Sequence, residues 1–269
     1  MIRKFIYTTV FIFLLQTGFV FAGSTGSEDL KGKAEGASAN ECFEGVSRAM
    51  FSFNHALDTA VFEPVAKGFR AIPLPIRKGI GNGVDNLRSL ATLSNNILQG
   101  DFKGAGNTAG RFVINTTVGI LGIFDPAAAL GLEDQGKEDF GQTMGVWGAN
   151  SGCYFVLPIL GPTTARDAFG KIGNAFLDPV WHITHNNEVQ NDLIGNDNYS
   201  EHNYYYYRST DAVNFRAKNI ESFDSLEENS IDLYASVKSL YLQDRAKKIK
   251  NNKSLVETQD DSDWEEIDN

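Results

Sequence analysis

The chain has 269 residues, of which 42% are hydrophobic and 22% are charged, proportions close to the globular average. The length excludes a disulfide-stapled miniprotein, and the composition argues against a wholly disordered chain and against a polytopic helical membrane protein. The formal net charge of -10 argues against nucleic acid and anionic membrane surfaces as partners, because both attract basic patches.

The first 40 residues predict an export signal followed by a tether. Arg3 and Lys4 precede a mostly apolar run, and Val20 and Ala22 stand at the positions that signal peptidase reads. The run is shorter than the roughly 20 residues that span a bilayer, so a cleaved signal peptide over residues 1–22 is favoured over an anchor. Residues 23–40 lack an apolar period, which predicts a disordered tether.

Apolar residues at helical spacing predict amphipathic helices after the tether. We expect the first helix to end at Pro64. The second is expected to begin at Pro75 and to stop at Gly100, which is a typical helix-terminating residue. Asp101 is expected to cap a third helix that extends to about Thr117.

Residues 118–132 are nearly all apolar but too few to span a bilayer. Such a run suits a re-entrant, interfacial or buried hairpin. We expect a helical hairpin in or against lipid, with Gly119 and Gly122 as its flexible element and Val118 and Phe124 beside them. A hairpin buried in the protein core is the alternative.

The second half of the chain is also predicted to be mainly helical. Pro158 and Pro162 favour an extended buried segment, and a helix is expected to resume over residues 163–177. Residues 186–203 are rich in Asn and Asp and predict a loop, whereas residues 212–242 have helical spacing. Alternating β-branched runs are few, so the fold class is mainly α.

The charge pattern divides the end of the chain from the helical domain. Residues 41–245 are assigned to that domain, and residues 246–269 to a charged tail that is normally solvated and disordered. Within the domain, the adjacent Arg166 and Asp167 are expected to need separate partners, because neighbouring helical positions do not face each other. Arg166 either has a structural role or reaches a carboxylate or a lipid phosphate.

The sequence gives little support for catalysis or for a bound metal or cofactor. No serine has the flanking glycines of a G-x-S-x-G elbow. His182 and His185 form the only close histidine pair, and no glutamate stands between them, so we expect no metal site. A secreted lipid hydrolase would need a nucleophile with a base, and no such constellation is visible.

Five motifs follow one another along roughly residues 41–183. They are ECFEGVSRAMFSFN at 41–54, NNILQGD at 95–101, RFVINTTVGILGIFD at 111–125, FGQTMGVWG at 140–148 and YFVLPILGPTTARD at 154–167. In type and order these motifs resemble those of the VacJ/MlaA family.

The resemblance implies a ring-like assembly of amphipathic helices embedded in the inner leaflet of the outer membrane. Such proteins remove mislocalised phospholipids from the outer leaflet and pass them to a periplasmic lipid-carrier protein for return to the inner membrane. They associate with trimeric outer-membrane porins and use no enzymatic step or cofactor. A porin-associated structural adaptor, or a secreted lipid hydrolase, remains as the alternative function.

The resemblance also indicates particular residues. Those expected near the lipid path are Asn115, Phe140, Gln142, Thr143, Tyr154 and Arg166. Family members are typically lipoproteins, but the residues before Cys42 lack the apolar-small-small triplet of a lipidation site. We therefore expect the protein at the periplasmic face of the outer membrane without a lipid anchor.

Cys42 and Cys153 both depart from the family pattern. Two such departures in an exported chain suggest that the residues form a disulfide, since export makes oxidation permissible. Two buried free thiols, which pack as small hydrophobes, are the alternative.

Overall fold

A computed structural model describes residues 39–185 and 202–250. The predicted signal peptide, nearly all of the tether, most of the Asn-rich loop and most of the tail lie outside these ranges. Within them the chain is mainly α-helical, as predicted, with a single two-stranded sheet.

The elements are labelled here in chain order. The helices are α1 Glu44–Leu57, α2 Glu63–Arg70, α3 Leu74–Gln99, α4 Phe102–Thr117, α5 Pro126–Ala129, α6 Phe140–Val146, α7 Ala165–Leu177, α8 Pro179–His185, α9 His202–Lys218, α10 Ile220–Asn229 and α11 Leu233–Ile249. The strands are β1 Tyr154–Leu157 and β2 Gly161–Thr164.

The first helix does not end at Pro64 as predicted. A π-helical turn, Asp58–Phe62, joins α1 to α2, and the Glu63 N–H bonds to the carbonyl of Asp58, five residues earlier. Pro64 then occupies the first turn of α2, where its missing N–H is not needed. In a continuous α-helix, Pro64 would lack the N–H that bonds to the carbonyl four residues earlier. The wider π-helical turn shifts the hydrogen bonding, so that the chain continues in a helical direction through Pro64.

Helices α3 and α4 form a closely packed antiparallel pair. Gly100 ends α3 in the left-handed conformation, with φ of 77°. The Asp101 carboxylate accepts a hydrogen bond of 2.8 Å from the Gly104 N–H and so caps α4. These two predictions are confirmed. Small buried residues such as Ala105 allow the two backbones to approach each other.

The segment around Pro158 and Pro162 is extended, as predicted. Strands β1 and β2 pair antiparallel, with Tyr154 opposite Thr164 and Leu157 opposite Gly161. The Thr164 hydroxyl accepts a bond from the Asp167 N–H and caps α7, so the hairpin leads directly into that helix.

The predicted helical region after residue 212 is divided into three helices. Ser230 leaves the helical conformation, and the Asp232 side chain then caps α11 by accepting from the Ala235 N–H at 3.1 Å. Helix α11 continues to Ile249, so residues 246–249, which were assigned to the tail, are helical. Lys247 and Lys248 in its last turn favour this extension, because cations stabilise the carboxyl end of a helix.

Two small clusters form the hydrophobic core of the described residues. The larger consists of Tyr154, Val156, Tyr234 and Leu242, and joins β1 to α11. The smaller cluster brings α2, α9 and α10 together through Ala66, Ala217 and Ile220.

Candidate functional site

A polar cavity of about 130 Å³ lies between α3, α4 and the loop that precedes α6. Every lining residue is polar or charged apart from Gly136. The lining includes Asp85, Asn86, Arg111, Asn115, Asp125 and Lys137. A cavity of this composition suits a charged or strongly polar group.

Asn115, one of the predicted lipid-path residues, is part of this cavity and organises one wall. Its amide donates to Asp125 at 2.9 Å, and its carbonyl oxygen accepts from the Ala127 N–H at 3.1 Å. Arg111 donates to the second oxygen of Asp125 at 2.8 Å. Burial alone would raise the pKa of Asp125, but these bonds from Asn115 and Arg111 lower it below its usual value.

An apolar groove of about 840 Å³ lies beside the polar cavity. Its apolar lining includes Ile76, Ile80, Leu87, Phe112, Ile123 and Phe124, together with Gly83. Asn86 belongs to the linings of both spaces and donates to the Thr116 hydroxyl at 2.9 Å. A hydrogen-bonded pair of side chains, Asn86 and Thr116, therefore lies between the polar cavity and the apolar groove.

The predicted hairpin over residues 118–132 is only partly helical. After α4 the chain forms a turn over residues 118–124, here called the apolar turn, and only α5 is helical. Ile120 and Leu121 have φ of 53° and 57°, a backbone conformation that costs energy for residues with large side chains. The structure thus replaces the second arm of a helical hairpin with a strained turn.

The glycines of the apolar turn are required by close contacts, rather than serving as a flexible element. A Cβ on Gly119 would lie 2.4 Å from the carbonyl oxygens of Asn115 and Phe124. A Cβ on Gly122 would lie 2.5 Å from the Cβ of Asn86. The turn is therefore packed directly against Asn86, which lines both the cavity and the groove.

The large side chains of the apolar turn are exposed rather than buried in a core. Val118 is 70% exposed, Leu121 73% and Phe124 60%. Further exposed apolar side chains lie on other elements, including Phe169, Ile172 and Phe176 along one face of α7. The molecule therefore presents apolar surface from several separate helices and turns.

Four charged residues form a largely buried ion cluster, in which Arg166 and Asp167 are buried and Arg245 and Asp139 are partly exposed. Arg245 donates to Asp167 at 2.8 and 3.1 Å and to Asp139 at 2.9 Å, so one guanidinium bridges two carboxylates. Arg166 donates to Asp167 at 3.0 Å. The expectation that these neighbours need separate partners was wrong for Arg166, which pairs with Asp167, although Asp167 also has Arg245 as a partner. Arg166 is thus committed to a structural ion pair.

The ion cluster holds its carboxylates in the charged form. Burial raises the pKa of Asp139, but hydrogen bonding and attraction from Arg245 outweigh it and lower the pKa to about 2. The pKa of Asp167 is lowered for similar reasons, with a further hydrogen bond of 2.6 Å from the Tyr241 hydroxyl. The cluster thereby joins α6, α7 and α11.

The four remaining lipid-path candidates line neither the polar cavity nor the apolar groove. Gln142 donates to Asp139 at 3.0 Å, and Thr143 donates to Asn95 at 2.8 Å. Tyr154 is fully buried in the core, and the ring of Phe140 packs edge-on against Trp147. Phe140, Gln142 and Thr143 lie on α6 and Tyr154 lies on β1, so the structure does not place them in the lining of the cavity or of the groove.

A disulfide joins Cys42 and Cys153, whose Cα atoms are 5.6 Å apart. The same segment is held by the Tyr154 N–H, which bonds to the Asn40 carbonyl at 2.9 Å, and by the Glu41 carboxylate, which accepts from the Tyr234 hydroxyl. These contacts attach the beginning of the described chain to β1 and α11.

The distribution of polarity is the reverse of that in an ordinary globular core. Among residues 39–185 and 202–250, buried polar or charged side chains outnumber buried hydrophobic ones, while many large apolar side chains are exposed. No helix in these ranges is both long enough and apolar enough to cross a bilayer. Exposed apolar side chains on helices with buried polar faces are typical of helical proteins that contact lipid.

Comparison with known proteins identifies the family. Residues 39–248 match the family described as MlaA lipoprotein. The chain belongs to the MlaA lipoprotein family.

Individual relatives agree with this assignment. The intermembrane phospholipid transport system lipoprotein MlaA of Haemophilus influenzae is 30% identical over 257 residues, which is 94% of this chain and 95% of that protein. An uncharacterized protein of Rickettsia prowazekii is 36% identical over 146 residues, so this chain spans 58% of that relative's length. A solved structure described as the structural basis for maintenance of bacterial outer membrane lipid asymmetry superposes with a TM-score of 0.65 at 28% identity, covering 78% of this chain and 99% of that one.

Proposed function

We propose that this protein transports phospholipid without an enzymatic step. It would remove mislocalised phospholipids from the outer leaflet of the outer membrane and pass them to a periplasmic lipid carrier for return to the inner membrane. The observation that carries this proposal is the polar cavity beside the apolar groove, whose linings share Asn86.

A phospholipid has two chemistries that require two kinds of surface. Its charged headgroup loses water on leaving the interface and needs polar partners, which the cavity offers through side chains such as Asn115 and Lys137. Transfer of its acyl chains from water to apolar surface lowers their free energy, and the groove offers such surface through side chains such as Phe112 and Ile80. Adjacent spaces of these two kinds support lipid handling better than they support a purely structural role.

The exposed apolar residues support a position in the membrane interface. We propose that the apolar turn and the exposed face of α7 insert into the inner leaflet of the outer membrane, as parts of a ring-like helical assembly. Burying each large side chain would contribute about 1.5 to 3 kcal/mol. Insertion at several points could hold the protein at the periplasmic face of the membrane, and trimeric porins are proposed as its neighbours there.

The experiment that tests the function uses Gly83 to obstruct the groove. A Cβ on Gly83 would meet no atom within 4 Å, so a side chain can begin there, and Gly83→Phe introduces a large ring at the groove lining. Gly106 on α4 is also free of contacts and lines neither the polar cavity nor the groove, so Gly106→Phe is a matched control.

The readout is phospholipid exposed on the outer leaflet of cells that lack the gene and carry one variant. We expect the deletion and Gly83→Phe to accumulate exposed phospholipid, and the wild type and Gly106→Phe to prevent it at equal protein levels. Normal lipid asymmetry with Gly83→Phe would contradict transport through the groove. Normal asymmetry in the deletion, with porin binding by the purified protein, would favour the structural adaptor.

A further inference from the structure

The polar cavity carries a specific balance of charge. Three carboxylates, those of Asp85, Asp125 and Asp134, face two cationic side chains, those of Arg111 and Lys137. The lining therefore has a formal charge of about -1. A site built for a purely anionic group would be expected to have an excess of cations instead.

Each cation of the cavity already has a carboxylate partner. Arg111 lies 2.8 Å from Asp125, and the Lys137 ammonium lies 2.5 Å from one oxygen of Asp85. Lys137 is also 3.8 Å from Asp211, which itself pairs with Arg88. Asp85 is shared with Lys218 at 3.4 Å. An incoming phosphate would thus meet cations whose charge is largely compensated.

Asp134 is the carboxylate of the cavity lining that has no cationic partner within the lining. Its carboxylate accepts from the Gly136 N–H at 3.0 Å and pairs with no basic side chain among the residues that the structure describes. Asp134 is exposed in the loop at the cavity, where it can meet a mobile cationic group. The cavity therefore offers an anionic position close to compensated cationic ones.

We propose that the polar cavity selects phospholipids whose headgroup carries both a phosphate and an ammonium over phospholipids with a net negative charge. The ammonium would contact Asp134, while the phosphate would lie towards Lys137 and Arg111. A headgroup with a phosphate alone would meet an uncompensated carboxylate without a partner for it. This inference rests on the proposed function and adds the class of lipid that the protein handles.

The test measures which lipid the protein retains. The full-length protein is equilibrated in detergent micelles containing equal amounts of phosphatidylethanolamine and phosphatidylglycerol, then repurified, and its bound lipids are quantified by mass spectrometry. We expect the wild type to retain about threefold more of the zwitterionic lipid.

Asp134 can be replaced with little risk to the fold, since it is exposed and makes one local hydrogen bond. Asp134→Lys changes the cavity charge by two, and is expected to shift the ratio of bound lipids by about threefold or more towards phosphatidylglycerol. Asp134→Asn can keep the bond to the Gly136 N–H and should give a smaller shift in the same direction. Glu228→Lys, an exposed substitution on α10, makes the same change in total charge and should leave the ratio unchanged.

Two results would overturn the inference. An equal ratio in the wild type would do so, as would equal shifts with Asp134→Lys and Glu228→Lys. Either result, with lipid still bound, leaves the transport function standing. Recovery of neither lipid with any variant would overturn the transport function, and the inference with it.

Discussion

Replacement of Arg245 by Met tests whether the buried ion cluster holds the fold together. Arg245 contacts both Asp139 and Asp167 and is itself only 11% exposed. Removing one partner of a buried ion pair typically costs about 3 to 5 kcal/mol, because a charge is left without compensation. Asp167 keeps bonds from Arg166 and Tyr241, and Asp139 is one-third exposed, so the expected cost is at the lower end, about 3 kcal/mol.

The measurement is urea unfolding in nonionic detergent, followed by far-ultraviolet circular dichroism at neutral and acidic pH. The cost of Arg245→Met should shrink on acidification, because the pKa of Asp139 rises without its cation and the carboxyl group can then be neutralised. Lys248→Met is the control, since it removes an exposed cation from the same helix and should cost about 0.5 kcal/mol or less. A loss below about 1 kcal/mol for Arg245→Met, or a loss independent of pH, would refute the reasoning.

Three further predictions follow from the site and its supports. Gly122→Ala should destabilise the protein by about 1 to 3 kcal/mol, because its φ of 87° and its contact with Asn86 both oppose a Cβ; an unchanged urea midpoint would contradict this. Thiol counting on unreduced, denatured protein should find no free thiol at Cys42 or Cys153, and replacing both with serine should cost up to about 4.7 kcal/mol; two free thiols would exclude the bond. The lowered pKa of Asp139 should contribute stability above the usual aspartate pKa that is lost as the pH falls towards about 2; acid titration of Asp139→Asn should lack this part of the loss, and identical titrations would contradict it.

Local signals made much of the helical framework predictable. The termination at Gly100 and the cap at Asp101 depend on the backbone freedom and the hydrogen bonding of single residues, so the sequence alone indicates them. Pro64 was misinterpreted because its effect depends on the hydrogen-bond register of the preceding turn. A π-helical turn before Pro64 accommodates the proline, and the spacing of apolar residues does not predict such a turn.

The candidate site was harder to predict because it depends on contacts between distant segments. Asn115 lines the polar cavity, but Gln142 and Thr143 are used in hydrogen bonds within the protein. Motifs reveal which residues matter to a family without separating those that support the fold from those that line a path. The role of Asn86 was missed altogether, since it follows from the contact with Gly122 in a turn that comes much later in the chain.

The arrangement of polarity explains why the ion cluster and the disulfide matter so much to this fold. A globular protein gains most of its stability by burying apolar side chains, but here many of the largest ones are exposed and the interior contains Asn, Thr and charged residues. Such an interior is stable only when its polar groups are paired, because each unpaired buried group costs about 1 to 3 kcal/mol. The ion cluster supplies such pairing for α6, α7 and α11, and the disulfide fixes the beginning of the described chain to β1. The exposed apolar side chains are thereby left available for the membrane contact that we propose.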